Sequence, residues 1–399
     1  MSDYLSQAER FRDDATGFLR DLIAIPSPSC GEKGVAERVV GEMEELGFDD
    51  AFIDDMGNAI GRIGDGATKL VLDAHMDTVG VGDPAAWPHD PFEGKLEDGI
   101  VYGRGASDNK GAVAAQVQAG RLIKERGLDG ADVTVYVVGT VMEEDCDGLA
   151  LGHVLTETIP GVHAVCMGEC TNLDVYRGHR GRMEMSVTTT GISAHASAPE
   201  RGDNAIAAMA PLVTEITALN DRLAHDDFLG KGTVAVTKIE CETASLNAIP
   251  DRCTIYLDRR LTTGETLDSA LHEVRSLPSA RDATVIVLDY AEPSWTGLTL
   301  ETEKYYPTWQ LKENDPLVRA GVQAGDRALG NAPSVGKWTF STNGVWSAGR
   351  LGIPTIGFGP SEERWAHTVQ DQCPVDHLVR SIAFYAALPK ALESEGVGR

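Results

Sequence analysis

The sequence predicts an α/β protein: a mostly parallel sheet flanked by helices, interrupted by a smaller inserted α+β domain. Three observations predict it. Helix-period and strand-like segments alternate as far as about Gly168. Residues 133–141 form a nearly continuous β-branched and apolar run, as a strand buried on both faces requires. From about Arg182 the pattern changes to period-2 alternation, and α/β character returns after Tyr290.

Residues 6–22 read as an amphipathic helix, because Ala8, Phe11, Ala15, Phe18, Leu19 and Leu22 recur near helical spacing. The turn Ile25-Pro26-Ser27-Pro28-Ser29 breaks it. A helix over 32–46 follows, and Gly47 ends it. Short apolar runs at 51–53, 59–63 and 70–72 predict strands between polar turns. Residues 108–125, rich in Ala, Val and Gln, predict a helix, and 164–168 a further strand. Within 181–290, strands are predicted at 183–188, 233–240, 253–258 and 284–288, with helices over 204–223 and 264–277. Two helices on a four-stranded sheet make an inserted domain, with 1–180 and 291–399 forming the larger one. A strand at 355–358 and a helix from Val375 close the chain.

Composition narrows the function. A chain of 399 residues, 42% hydrophobic, can bury a sizeable core. Its 61 acidic and 35 basic residues leave a net charge of −26. Nucleic acid and anionic membrane surfaces need basic patches, so neither is an expected partner. The acidic excess comes with 24 Arg but only 11 Lys and reads as a solvated acidic surface. No apolar run approaches the roughly 20 residues that span a bilayer. The start Met1-Ser2-Asp3-Tyr4-Leu5 lacks the basic and apolar regions of a secretory signal. Seven cysteines without a Cys-x-x-Cys suggest free thiols in a reducing compartment, and a cytoplasmic location is expected.

The chemistry lies where acidic and histidine residues meet strand ends, the position at which open α/β sheets bind ligands. The strand ending at Leu72 runs into His75-Met76-Asp77, and 133–141 into Met142-Glu143-Glu144-Asp145. The strand 164–168 reaches Glu169, and 355–358 precedes His367. Asp108 ends the Gly-rich segment Gly103-Arg104-Gly105-Ala106-Ser107-Asp108 before a helix. In extended backbone His75 and Asp77 point to one side, so Asp77 can orient a metal-bound imidazole. Neighbours Glu143 and Glu144 face apart, so one can coordinate while the other acts as general base. Two histidines and three carboxylates exceed the needs of one zinc, but suit two metals bridged by one carboxylate. Singly, each motif is weak; His-x-Asp is more often structural and Glu-Glu-Asp is commonly a solvated turn.

Taken together, in this order, the segments resemble the M20 metallopeptidase family of aminoacylases, acetylornithine deacetylases, succinyl-diaminopimelate desuccinylases and glutamate carboxypeptidases. The resemblance spans essentially the whole chain. It rests on Ile25-Pro26-Ser27, Ala74-His75-Met76-Asp77-Thr78-Val79, Trp87-Pro88-His89-Asp90-Pro91-Phe92, Tyr102–Gly111, Met142-Glu143-Glu144 and Ala366-His367-Thr368. It implies that His75 and Glu169 are terminal ligands of one metal and Glu144 and His367 of the other. Asp108 is then the bridge, Glu143 the general acid/base and Asp77 the group orienting His75. Glu169 stands where some members have Asp, which favours the deacetylase or desuccinylase side. The metals implied are two divalent ions per subunit, zinc first, with cobalt or manganese as alternatives.

The insert shares the resemblance. Gly191-Ile192-Ser193-Ala194-His195-Ala196-Ser197 resembles the segment whose histidine polarises the scissile carbonyl across a dimer interface. A homodimer through the insert is therefore expected. Asn247, in Ser245–Asp251, and Arg260, in Asp258-Arg259-Arg260-Leu261, resemble segments that hold the substrate's carboxylate end. Arg260 aligns better than Arg259, and a bidentate guanidinium suits a carboxylate. Asn343, in Ser341-Thr342-Asn343-Gly344, stands where many relatives carry an Asp-containing loop and is expected at the substrate with altered contacts. Asn109 replaces a residue that is often Met. Gly-His-Arg-Gly-Arg at 178–182 and Asp-Arg-Arg-Leu-Thr at 258–262 resemble a subgroup linked by name to selenium metabolism, a label from which no selenium chemistry follows.

The expected activity is metal-dependent hydrolysis of a small N-acyl amino acid or dipeptide bearing a carboxylate. The alternatives are an N-carbamoyl amino acid amidohydrolase and a metal-binding paralogue without turnover. The intact Glu143 argues against the latter, which has no use for a general base.

Overall fold

The computed structural model describes residues 2–398. Eight strands form the main sheet, in the spatial order Asp50–Ile53, Ala59–Ile63, Val133–Thr140, Thr68–His75, Ala164–Met167, Thr355–Gly357, Val175–Tyr176 and Val335–Gly336. Its centre is parallel: Thr68–His75 pairs with Val133–Thr140 and Ala164–Met167, which in turn neighbours Thr355–Gly357. The first two strands and the contact between Thr355–Gly357 and Val175–Tyr176 are antiparallel.

Both faces of this sheet are covered, which explains why its strands read as continuous apolar runs. In Thr68–His75, Leu70, Leu72 and Ala74 join one hydrophobic cluster, whereas Val71 joins the cluster on the other face. Helix Lys110–Arg126 packs on the first face with the closing helix Val375–Glu395. It is built of small residues because it is buried nearly all round, and Gly127, at φ +65°, ends it in the left-handed conformation.

The N-terminal helical region is divided: Asp3–Ala8 and Arg12–Ile23 flank a single tighter turn. Helix Pro316–Leu329 and the short helix Leu149–His153 have no counterpart in the sequence reading. Asp315 caps the start of the former and Gly330 its end, and its buried face is mostly small: Ala320, Gly321, Ala324, Gly325 and Ala328.

The inserted sheet is antiparallel, in the order Thr233–Glu242, Arg252–Leu261, Gly181–Thr190 and Thr284–Val287. The returning chain adds a two-residue strand, Tyr305–Tyr306, beside Gly181–Thr190. Met183, Met185, Val187, Cys253, Ile255 and Leu257 form a separate core with helices Ala205–Leu219 and Leu267–Arg275. The period of 2 puts Arg182, Glu184 and Arg260 on the opposite face of that sheet.

Candidate metal centre

Parallel pairing brings three carboxyl strand ends together. His75 lies opposite Thr140, and Asp73 opposite Met167, so the segments carrying His75-Met76-Asp77, Glu143-Glu144 and Glu169 leave the sheet side by side. His75 Nε2 is 2.8 Å from Asp108 Oδ1, 3.5 Å from Glu169 Oε1 and 3.9 Å from Glu143 Oε2. His367 Nε2 is 3.0 Å from Glu144 Oε2 and 3.3 Å from the other oxygen of Asp108. Two triads result, His75–Asp108–Glu169 and Asp108–Glu144–His367, each with ligand atoms within 4.8 Å of one another.

The donor set fits divalent cations. Burial pushes the carboxyls of Glu143 and Glu169 well above the usual range, and Glu144 upward too. Burial disfavours charge on His75, yet the carboxylates of Glu143 and Glu169 and the hydrogen bond to Asp108 raise it well above its ordinary value. Hydrogen bonds to Asp108 and Glu144 push His367 up to about 10. Asp108 would also be raised by burial, but hydrogen bonds from His367 and His75 outweigh this and hold it low. Without metal the cluster balances its charge only by holding protons, which divalent cations would displace. Glu169 Oε2, buried without a partner among the described residues, is a further free ligand atom.

Backbone constraints hold these groups. Asp77 is fully buried; its two carboxylate oxygens accept from the backbone N–H of Glu143 and of Glu144, each at 3.0 Å. Its own carbonyl oxygen lies 3.0 Å from His75 Nδ1, closer than its carboxylate at 3.4 Å. A proton on Nδ1 donated there leaves Nε2 free to coordinate. Met142 (φ +61°) and His367 (φ +59°) occupy the left-handed region that non-glycine residues seldom adopt, which aims the adjoining ligands.

Two supports escaped the sequence reading. Asp371 accepts from Gly105 N (2.7 Å), Ser107 N (2.8 Å) and Ser107 Oγ (2.7 Å), and pairs with Arg104 (3.1 Å), fixing the loop that delivers Asp108. Gly105 is required there: at φ +87°, an added Cβ would meet Thr78 Cγ2 at 2.8 Å. Glu32, which burial pushes up to about 8, accepts from Met142 N at 2.9 Å.

Beside the cluster is a cavity of about 340 Å³, lined by Glu143, Glu169, Arg182, Arg260, Ser341 and others. Arg260 thus stands near the ligands, whereas Arg259 is fully buried on the helix face, paired with Glu265 and Glu273. Asn343 does not reach the cavity. It donates to Asp73 and Thr140, both at 3.0 Å, and accepts from Gly148 N at 2.8 Å within the core. Its neighbour Ser341 faces the cavity instead, with a buried hydroxyl that has no partner among the described residues. His195 and Asn247 are exposed on adjoining turns of the insert, joined by a 2.8 Å bond from Ala196 N to Asn247 O, and do not line the cavity.

Residues 177–284 match the family model described as a peptidase dimerisation domain, M20_dimer. A protein of Escherichia coli K12, YgeY, named as uncharacterised, is 48% identical over 96% of each chain. A succinyl-diaminopimelate desuccinylase of Cereibacter sphaeroides is 33% identical, covering 94% of this chain and 98% of its own. The YXEP protein of Bacillus subtilis, a dinuclear metal binding peptidase from the M20 family, superposes with a TM-score of 0.70 at 16% identity, over 98% of this chain and 99% of its own. Among the described residues no helix is long and apolar enough to cross a membrane.

Proposed function

Because this chain belongs to the M20 family of metal-dependent amide and peptide hydrolases, we propose that it cleaves the amide bond of a small N-acyl amino acid or dipeptide held by its carboxylate at Arg260. The observation carrying this reading is the pair of triads sharing Asp108, with Glu143 beside His75 and facing the same cavity as Arg260.

His75, Asp108 and Glu169 would hold one divalent ion, and Asp108, Glu144 and His367 the other. When bound, such ions, zinc in the first instance, supply Lewis acidity and lower the pKa of water. Glu143 takes the proton of the attacking water and returns it to the leaving nitrogen; a carboxyl that burial holds high is suited to carry a proton both ways. Asp77 keeps Glu143 and Glu144 in register through their backbone N–H groups. The inserted sheet contributes Arg182 and Arg260 to the cavity wall. His195, too exposed to serve its own cavity in this arrangement, would complete that of a second copy in a homodimer formed through the insert.

The test is amine release from N-acetyl, N-succinyl and N-carbamoyl amino acids and dipeptides, with zinc added and with chelator. Turnover of one class that chelator abolishes is expected. Replacing Glu143→Ala should remove turnover while two metals per chain remain; wild-type rates in that variant would sink the mechanism.

A further inference from the structure

The inserted sheet offers the metal cavity two arginines. Arg182 and Arg260 are direct antiparallel partners, so their side chains leave the same face of the sheet, and both line the cavity with Glu143 and Glu169. Like charges at facing positions destabilise a sheet. Each is therefore partly offset: Asp147 Oδ1 accepts from Arg182 Nη2 at 2.9 Å, and Asp258 from Arg260 Nε at 2.8 Å and Nη2 at 3.1 Å. Neither guanidinium is used up in hydrogen bonds. Arg260 Nη1 donates to no described residue, and Arg182 Nη1 makes only a 3.7 Å ion pair with Glu184, without a hydrogen bond.

The two arginines differ in what anchors them. Arg260 is tied to Asp258 on its own strand. Arg182 rests on the Tyr306 ring at 4.6 Å and reaches across to Asp147, three residues beyond Glu144 in the segment that carries the metal-site glutamates. An interdomain ion pair alone would account for Arg182–Asp147. It would not account for a second arginine at the facing position in the same open cavity.

Resting on the hydrolase reading above, we propose that Arg182 is a specificity-determining residue that closes with Arg260 on a single substrate carboxylate as a two-guanidinium clamp. Nη1 of each arginine donates to one carboxylate oxygen, while Asp147 and Asp258 keep the two forks from swinging apart. The Asp147 contact fixes the clamp relative to Glu143, so the carboxylate sets which amide bond is presented to that residue. A substrate whose carboxylate is capped as an amide leaves two guanidiniums facing each other without their anion and is rejected.

The experiment titrates N-acetylglycine and N-acetylglycinamide into the full-length, metal-loaded Glu143→Ala protein by calorimetry, so that neither probe is consumed. This parent should bind the acid at least tenfold more tightly than the amide. Adding Arg182→Gln should reduce that preference about tenfold, as should Arg260→Gln, because each loses a charge-assisted hydrogen bond. Arg182→Lys, which keeps the charge and guards against misfolding, should keep part of it. An unchanged preference in folded Arg182→Gln, or a parent that binds both probes alike or neither, overturns the clamp. Loss of preference in Arg182→Gln with no amide in the substrate panel hydrolysed by wild type leaves the clamp standing and removes the hydrolase reading instead.

Discussion

At the scale of single residues, the metal cluster depends on groups that never touch metal. Asp371 is the clearest. Its Oδ1 serves Ser107 and its Oδ2 serves Gly105 N and Arg104, so Asp371→Asn would turn an amide NH2 toward donors, or leave the Arg104 charge buried without its partner. A stability loss of about 3 kcal/mol is expected in chemical denaturation, with metal affinity down about 10- to 100-fold by titration. Glu169→Gln should act differently if the proposed ligand set holds, because it alters the triad His75–Asp108–Glu169 and leaves the other intact. One metal per chain is expected by elemental analysis, and retention of two would show that Glu169 is not a ligand. That these carboxylates and imidazoles would cluster was legible, since groups at successive strand ends need only strand order to meet. Asp371 and Glu32 were not, because a lone acidic residue past a motif looks like surface until the loop it caps is seen. Asn343 shows the converse. The motif located its loop, but a loop has no periodicity to say that Ser341 faces the cavity and Asn343 the core.

At the scale of elements, the wall behind that loop is held by a neutral histidine. His179 pairs with Trp309 across two short strands, accepts from Trp309 Nε1 at 2.8 Å and Thr342 N at 3.1 Å, and donates from Nδ1 to Arg180 O at 2.8 Å. Burial lowers its pKa to about 4. Between that value and the ordinary 6.5, the unfolded chain binds a proton that the folded chain refuses. The stabilising contribution is thus full above pH 6.5 and lost as pH falls toward 4, by about 3 kcal/mol in all. His179→Phe should unfold more easily at pH 7.5, having left Trp309 and Thr342 without an acceptor, yet lose less further stability on acidification to pH 4.5. A parallel pH dependence in the two proteins would rule this out. The main elements were readable because buried strands and amphipathic helices carry strong periodic signals. Helix Pro316–Leu329 was not read, although Asp315-Pro316 and Gly330 punctuate it. Its close packing selects Ala and Gly where the periodic signal needs large apolar side chains.

At the scale of the whole molecule, the insert has surface to spare. Ile192, Ile206, Ile239, Leu246 and Ile286, all on the insert, are five of the eight exposed large hydrophobic residues among the described residues. Thr233–Glu242 is an edge strand ten residues long, paired among the described residues with Arg252–Leu261 on one side only, and an open edge is a template for a second chain. With the match of 177–284 to a dimerisation domain, the expectation is a homodimer, and Ile239→Glu, which puts a charge on that strand, should sediment as monomer. The sharper test asks whether His195 works in its own subunit or in the other. Glu143→Ala and His195→Ala proteins should each be inactive alone. If His195 acts across the interface, a mixed dimer holds one site with both groups intact, and random exchange should restore about a quarter of wild-type activity. If it acts within its own subunit, every site in the mixture lacks one group and no activity returns. Adding Ile239→Glu to both partners should cancel any recovery, which ties the regained activity to the dimer and excludes residual turnover by either variant.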